Sequence, residues 1–276
     1  MKTFHEAPKS IFKHVQSRTD GDYFLVHLFE TDIEYLNLAR EAIAKGREVI
    51  LDNSIFELGT AFDMEKFALW VNYLKPAYYI VPDSLDDMEG TIKNMYKWTS
   101  EYKPYINPQS KMIGVIQGKN YEELSNCYEY MDKEANVDKI AFSFDCKWYS
   151  EIVPHKNKLV SWMMGRRILL SRLLSDGIIN TNKPHHLLGA GLVEEFKFYD
   201  KDTYSWVDSV DTSSPVICGM NKSMYDYRCG NTWKPSEKLH TLINAEISHS
   251  QMYCIEHNIK VFKNFCSGEW YDDPNI

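Results

Sequence analysis

The chain has 276 residues, 44% hydrophobic, 14% aromatic and 25% charged, with a formal net charge of -8. That length fits one large domain with a sizeable core, and the acidic balance argues against broad, nonspecific nucleic-acid binding without excluding a local basic groove. No apolar run approaches the roughly 20 residues that span a bilayer, no leader pattern is visible at the N-terminus, and the six cysteines lack paired spacing, so reduced thiols and a cytoplasmic setting are expected.

Strand and helix patterns alternate along the chain. The first strand is predicted over 23–29 and the first helix over 32–45, with Gly46 as its stop. The second strand covers 48–52, followed by a helix from Asp63. A third strand at 78–82 leads to a helix over 88–102, and a fourth at 112–117 to a helix over 121–133. The fifth strand, 139–144, precedes a long helix over 158–174. The sixth, 186–189, leads to a short helix over 193–199, and the seventh covers 204–210. Near-continuous apolar strands separated by amphipathic helices indicate a parallel sheet covered on both faces. Seven such units predict an α/β fold of the (β/α)8 TIM-barrel type, in one domain. The eighth strand falls either at 216–220 or near the start of the chain. Residues 1–20 read as an N-terminal extension, 21–220 as the barrel core and 221–276 as a C-terminal helical closure, with closing helices over 235–265.

Most of these strands stop on residues suited to an open catalytic rim. Ile50-Leu51 runs into Asp52, Val81-Pro82 into Asp83, Val115-Ile116 into Gln117-Gly118, Leu187-Leu188 into Gly189-Ala190-Gly191, and Val207 into Asp208-Ser209-Val210-Asp211. Two carboxylates on different strand ends, Asp52 and Asp211, can divide labour as nucleophile and proton carrier at a C1′–N glycosidic bond; the plain alternative is that they cap helices. Asp83 beside Gln117 can read the donor and acceptor edge of a purine-like ring, and Phe56 can form a wall for a flat base or simply fill the core. Gly189-Ala190-Gly191 permits close backbone approach but is no complete phosphate-loop motif.

No metal motif stands out. There is no CxC or CxxC pair, His185-His186 falls at a strand start away from the catalytic rim, and His249, Cys254 and His257 read as helix residues with structural or surface roles. Arg166, Arg167 and Arg172 on one helix, and Lys222, Arg228, Lys234 and Lys238 after the last carboxylate, could hold phosphates or simply form a solvated face.

In order and spacing, these strand ends resemble the tRNA-guanine transglycosylase (queuine and archaeosine tRNA-ribosyltransferase) superfamily over about residues 50 to 215. The motifs that carry the resemblance are Asp52-Asn53-Ser54-Ile55-Phe56-Glu57, Asp83, Gly114-Val115-Ile116-Gln117-Gly118, Leu187-Leu188-Gly189-Ala190-Gly191 with Glu194-Glu195, and Val207-Asp208-Ser209-Val210-Asp211 with Pro215. The resemblance implies Asp211 as nucleophile, with Asp208 the rival in the same motif, and Asp52 as general acid/base. Strand alternation allows at most one of Asp208 and Asp211 to face the pocket. The resemblance further implies that Asp83 and Gln117, with Gly118, bind the base edge and that Phe56 stacks on it, with Asn53, Ser54, Gly189, Ala190 and Gly191 bordering the pocket.

Ser54-Ile55 replaces the family's glycine pair, Glu57 replaces its Gln, Ile140–Asp145 departs from its base-contacting segment, and its C-terminal zinc motif is missing. This compact form resembles the phage and bacterial branch that exchanges guanine in DNA for a 7-deazaguanine such as 7-cyano-7-deazaguanine. The implied setting is a bacterium or phage-infected cell. DNA is favoured over tRNA as the partner polymer, with a 7-deazaguanine base as co-substrate, no membrane, no cofactor, no metal, and a homodimer left open. The rival readings are a hydrolase of a free 7-deazaguanine nucleoside, a tRNA-guanine transglycosylase, a non-catalytic nucleic-acid-binding subunit, and an unrelated two-carboxylate barrel hydrolase.

Overall fold

The computed structural model describes residues 1–269. Eight parallel strands pair in chain order and close into a barrel: β1 (Lys2–Phe4), β2 (Gly21–Leu25), β3 (Glu48–Asp52), β4 (Tyr78–Ile80), β5 (Lys111–Ile116), β6 (Lys139–Ser143), β7 (His185–Leu188) and β8 (Val207–Asp211). Helices α1 (Phe12–Gln16), α2 (Ile33–Ala44), α3 (Ile55–Leu58), α4 (Met64–Leu74), α5 (Met88–Lys97), α6 (Tyr121–Glu129), α7 (Lys147–Ile152), α8 (Lys158–Ser175), α9 (Ser214–Met220) and α10 (His249–Ser267) accompany it. The fold is the expected single-domain (β/α)8 barrel. Among the described residues no helix is long and apolar enough to cross a membrane.

Strand composition explains the closure. Val49, Ile50 and Leu51 in β3, and Ile140, Ala141 and Phe142 in β6, are all buried although successive side chains face opposite sides. Only a sheet with packed side chains inside and helices outside accommodates such a run. Most long helices start on a side chain that accepts an amide of the first turn: Asp32 from Tyr35, Asp63 from Lys66, Asp87 from Gly90, Asn120 from Glu123 and Ser248 from Gln251.

The first twenty residues are not an extension. Lys2, Thr3 and Phe4 pair with Ser209, Val210 and Asp211, and Phe4 also pairs with Gly21, so β1 joins β8 to β2 and completes the barrel. The competing segment, 216–220, belongs to α9, where Pro215 occupies the first turn that tolerates its missing N–H. Val216 and Ile217 there build a second small core with Ile11, Val15, Leu239, Ile255 and Ile259. The strand predicted over 23–29 stops at Leu25, because Val26–Glu30 coils into a 3-10 turn that buries Val26, Leu28 and Phe29. The helix predicted over 193–199 is likewise 3-10, at Val193–Phe198. In the closing region, Leu239–Leu242 is a short 3-10 turn before α10, and residues 270–276 of the expected closure lie outside the described residues.

Candidate active site

A cavity of about 380 Å³ opens at the C-terminal rim, within the roughly 300–1,000 Å³ usual for small-molecule sites. All eight strands reach it: Glu6 follows β1, Tyr23 and Leu25 lie on β2, Asp52 ends β3, Asp83 follows β4, Gln117 follows β5, Ser143 ends β6, Gly189 follows β7 and Asp211 ends β8. Phe56, Phe144 and Trp162 supply aromatic walls, and the segment Lys234–Leu239 borders the cavity. Asp211, Asp52, Phe56, Asp83, Gln117 and Gly189 therefore converge as expected.

Asp211 is held at one oxygen. Its Oδ1 lies 2.9 Å from His186 Nε2 and accepts the Gly189 amide at 3.1 Å. Among the described residues neither bond is made at Oδ2, which leaves that oxygen for chemistry. Gly189 is required here twice over. Its φ of 68° is left-handed, and a Cβ would lie 2.6 Å from Phe144 Cδ1. Asp208 has no part in the cavity. Its carboxylate accepts Lys139 Nζ at 2.6 Å, and Lys139 is the first residue of β6, so Asp208 serves the N-terminal end of the barrel. Burial pushes its carboxyl up, but Lys139 and Lys2 more than offset this and hold it below the ordinary value.

Asp52 accepts the Ser54 amide at 2.8 Å. Burial first, then the neighbouring Glu57 and Asp211, push its carboxyl well above the usual carboxylate range, against the Ser54 hydrogen bond. A carboxyl in that state is a proton donor near neutral pH. Glu6 is raised well above its ordinary value by burial and by Glu57, Asp211 and Asp52. Burial raises Glu57 to about 7, and one of its oxygens is buried without a partner among the described residues. Among the described residues seven carboxyl groups and two lysines, Lys234 and Lys238, line the cavity, so like-charge crowding favours protonation. Burial in turn lowers Lys234, although Glu6 and Asp211 oppose this.

Glu57 yields a stability prediction with a definite sign. Its folded value near 7 stands above the ordinary 4.5. Between those values the folded protein keeps a proton the unfolded chain has lost, so this group weakens the fold as pH rises through that window. Glu57→Gln should stabilise the protein by ~1–3 kcal/mol at pH 8 and leave it unchanged below about pH 4.5. Denaturant melts at pH 8 and pH 4.5 check this; an equal effect at both values contradicts it.

Asp83 and Gln117 are bound to each other. Asp83 Oδ2 accepts Gln117 Nε2 at 2.7 Å, Asp83 Oδ1 accepts Asn53 Nδ2 at 2.9 Å, and Gln117 Oε1 accepts the Asp86 amide at 3.0 Å. Burial raises Asp83, opposed by the Asn53 and Gln117 hydrogen bonds. The pair is thus a fixed polar edge beside aromatic walls, the arrangement that orients a flat heterocycle. Phe56 lies 6.0 Å from Phe144 at a 57° tilt, with Lys238 Nζ 4.5 Å above its ring.

Five expected contact residues stand behind the wall instead. Asn53 is fully buried on Asp83 and on the Val81 carbonyl. Ser54 makes the left-handed turn that returns its amide to Asp52, and its hydroxyl accepts the His27 amide. Gly118 packs on α6, where a Cβ would meet Glu123 Cβ at 2.8 Å. The carbonyls of Ala190 and Gly191 accept Thr212 Oγ1 and Asn231 Nδ2. Arg166 holds no phosphate. It is fully buried and paired through Nε and Nη2 with Glu195 at 2.8 and 2.9 Å. Arg167 and Arg172 lie over Phe198 and Tyr121, whereas Lys234 and Lys238 do reach the cavity.

His186 corrects the expectation that His185-His186 lies too low in the barrel to matter. Strand β7 has only four residues and a register shift between these two histidines, so one inward imidazole spans the distance from Ser209 to Asp211. Burial lowers His186 against the pull of Asp211, which keeps the ring neutral. Glu6, Tyr23, Ser143, Phe144, Asp145 and Trp162 also line the cavity without a sequence signal. Among the described residues no group of three His, Cys, Asp or Glu side chains is arranged to hold a metal ion, the trio on α10 included. All six cysteines are unpaired.

No protein-family model matches the chain, and no curated protein matches it. Among solved structures, a mandelate racemase/muconate lactonizing enzyme from Roseiflexus sp. is similar at a TM-score of 0.42 and 11% identity, covering 76% of this chain. The chain spans 55% of that structure's length. So distant a likeness carries nothing about chemistry.

Proposed function

We propose that this chain is a base-exchange glycosyltransferase that replaces guanine in DNA with a 7-deazaguanine. One observation carries the reading: Asp52 and Asp211, from strands β3 and β8, face one cavity. Asp52 is driven towards its protonated form, and Asp211 is anchored at Oδ1 with Oδ2 left over. Phe56 and Phe144 give a base a surface to stack on, and the Asp83–Gln117 pair gives its edge polar partners.

The steps follow from those states. Asp211 Oδ2 forms a bond to C1′ while the C1′–N9 bond breaks, and the electron pair leaves on guanine. The Asp52 carboxyl delivers its proton to the departing base, which makes guanine a better leaving group. Guanine leaves, a 7-deazaguanine enters, and the Asp52 carboxylate takes the ring N–H proton. The freed nitrogen then displaces Asp211 from C1′, restoring both side chains. A target base stacked in a duplex must first be extruded or presented single-stranded.

The acid-rich cavity and the net charge of -8 also favour a second reading, hydrolysis of a free nucleoside with water as acceptor. Incubating the protein with labelled 7-cyano-7-deazaguanine and duplex DNA, single-stranded DNA or tRNA separates them. Label retained by DNA supports the proposal. Label retained only by tRNA reassigns the polymer. Cleavage of a free nucleoside with no polymer labelled, or no turnover of any substrate, overturns it.

A further inference from the structure

A continuous column of polar side chains runs down the barrel interior from the cavity. Asp211 Oδ1 meets His186 Nε2 at 2.9 Å, His186 Nδ1 meets Ser209 Oγ at 2.9 Å, Ser209 Oγ meets Lys139 Nζ at 3.1 Å, and Lys139 Nζ meets Asp208 at 2.6 Å. His186, Ser209 and Lys139 are fully buried.

The donor inventory gives this column a direction. A lysine ammonium has only protons to offer, so Lys139 donates to both Asp208 and the Ser209 oxygen. The Ser209 hydroxyl, its oxygen engaged as acceptor, turns its own proton to His186 Nδ1. A neutral imidazole that accepts at Nδ1 carries its proton on Nε2. That N–H points at Asp211 Oδ1, an acceptor. Ring packing fixes the plane: Phe4 stands edge-on to His186 at 6.2 Å, and Tyr23 stacks on it at 6.5 Å and 11°. The Gly189 amide supplies the second donor to the same oxygen.

We propose that His186 is a positioning residue: it clamps Asp211 Oδ1 so that Oδ2 faces the anomeric carbon, and Lys139 acting through Ser209 locks the required tautomer. The inference rests on the base-exchange reading for its catalytic consequence, whereas the tautomer lock stands apart from it. An anchored Oδ1 fixes the carboxylate plane, and misplacement of a nucleophile by about 1 Å costs about 10²-fold in rate.

The test has two arms. Steady-state exchange compares wild type with His186→Phe and His186→Gln, whose folding is checked by thermal melting. Phe keeps a flat ring without a donor, so kcat should fall about 10²-fold with KM within about threefold of wild type. The Gln amide N–H restores a donor and should recover at least about a tenth of the wild-type kcat. Unchanged kcat in His186→Phe, or Gln no better than Phe, overturns the clamp. In the second arm, nitrogen-15 NMR of wild type should show His186 protonated at Nε2 alone, and Ser209→Ala should mix the tautomers. A wild-type Nδ1–H form, or no change in Ser209→Ala, overturns the lock. If wild type exchanges no base, the functional reading fails, and the NMR arm still decides the lock.

Discussion

Replacing Asp211 with Asn should lower base exchange by about 10⁴-fold or more while leaving the fold and base binding intact. Asn has the same shape as Asp, and its carbonyl still accepts the His186 and Gly189 N–H groups that hold Oδ1. What disappears is the second carboxylate oxygen, replaced by an amide nitrogen with no nucleophilic lone pair. Asn is a cleaner probe than Ala, which strands two donors in a buried setting and costs stability for reasons unrelated to chemistry. Phe56, Asp83 and Gln117 are untouched, so 7-deazaguanine should bind Asp211→Asn within about threefold of wild type, as read by calorimetric titration. Exchange within about tenfold of wild type would contradict the assignment and move the nucleophile to another carboxyl such as Glu57.

The largest stability effect is expected away from the reacting atoms, at Arg166→Met. Arg166 is fully buried in α8. Besides its two bonds to Glu195, it donates to the carbonyls of Phe142, Leu188 and Gly189 at 3.2, 3.1 and 2.8 Å. Glu195 also accepts the Tyr199 hydroxyl at 2.7 Å. One guanidinium therefore ties the ends of β6 and β7 to the backbone whose amide holds Asp211. Removing it leaves a buried carboxylate that keeps, among the described residues, the Tyr199 hydroxyl alone, a loss of about 3–5 kcal/mol. In a chain of this size that lowers Tm by roughly 6–20 °C. The double variant Arg166→Met with Glu195→Gln should recover more than half of the loss, because the uncompensated charge goes with it. Differential scanning calorimetry decides the matter. A single-variant loss below about 1 kcal/mol would mean that water reaches the pair.

The barrel was legible because its central strands are unusually pure: Val49–Leu51 and Ile140–Phe142 bury both faces, and an apolar run so short between helices has few other homes. Strand β1 was legible only as one of two alternatives, the start of the chain or 216–220. Three residues, Lys-Thr-Phe, carry no period, and they become a strand only because β8 and β2 offer them partners on both edges. Without fixed bounds for that strand, Glu6, a cavity carboxyl that follows directly, went unseen. The rim residues Asp52, Asp83 and Gln117 could be read because each ends an apolar run with a polar side chain, and Asp211 because it closes the segment Val207–Asp211 on a carboxylate. Their neighbours in sequence, Asn53, Ser54, Gly118, Ala190 and Gly191, were drawn along by adjacency, yet strand alternation and tight turns send them behind the wall.

His186 shows a different limit. Height in a barrel cannot be judged from position in a strand when the strand has four residues and the side chain is a long one. Lys234 and Lys238 arrive from a segment with no regular structure, so only tertiary contact brings them to the cavity. The paired burial of Arg166 and Glu195 was equally hidden, since a basic residue on a long helix reads as solvated until its partner is found.

In the proposed mechanism a deoxyribose is carried on Asp211, and trapping it is the most direct measurement. Wild-type protein would be incubated with a guanine-containing DNA oligonucleotide and no incoming base, quenched in denaturant, digested and examined by mass spectrometry. The expected result is a base-less nucleotide attached to the peptide containing Asp211, guanine released in equal amount, and neither product from Asp211→Asn. Guanine release with no adduct on any peptide, or an adduct on the peptide carrying Asp52 and Glu57, would contradict it.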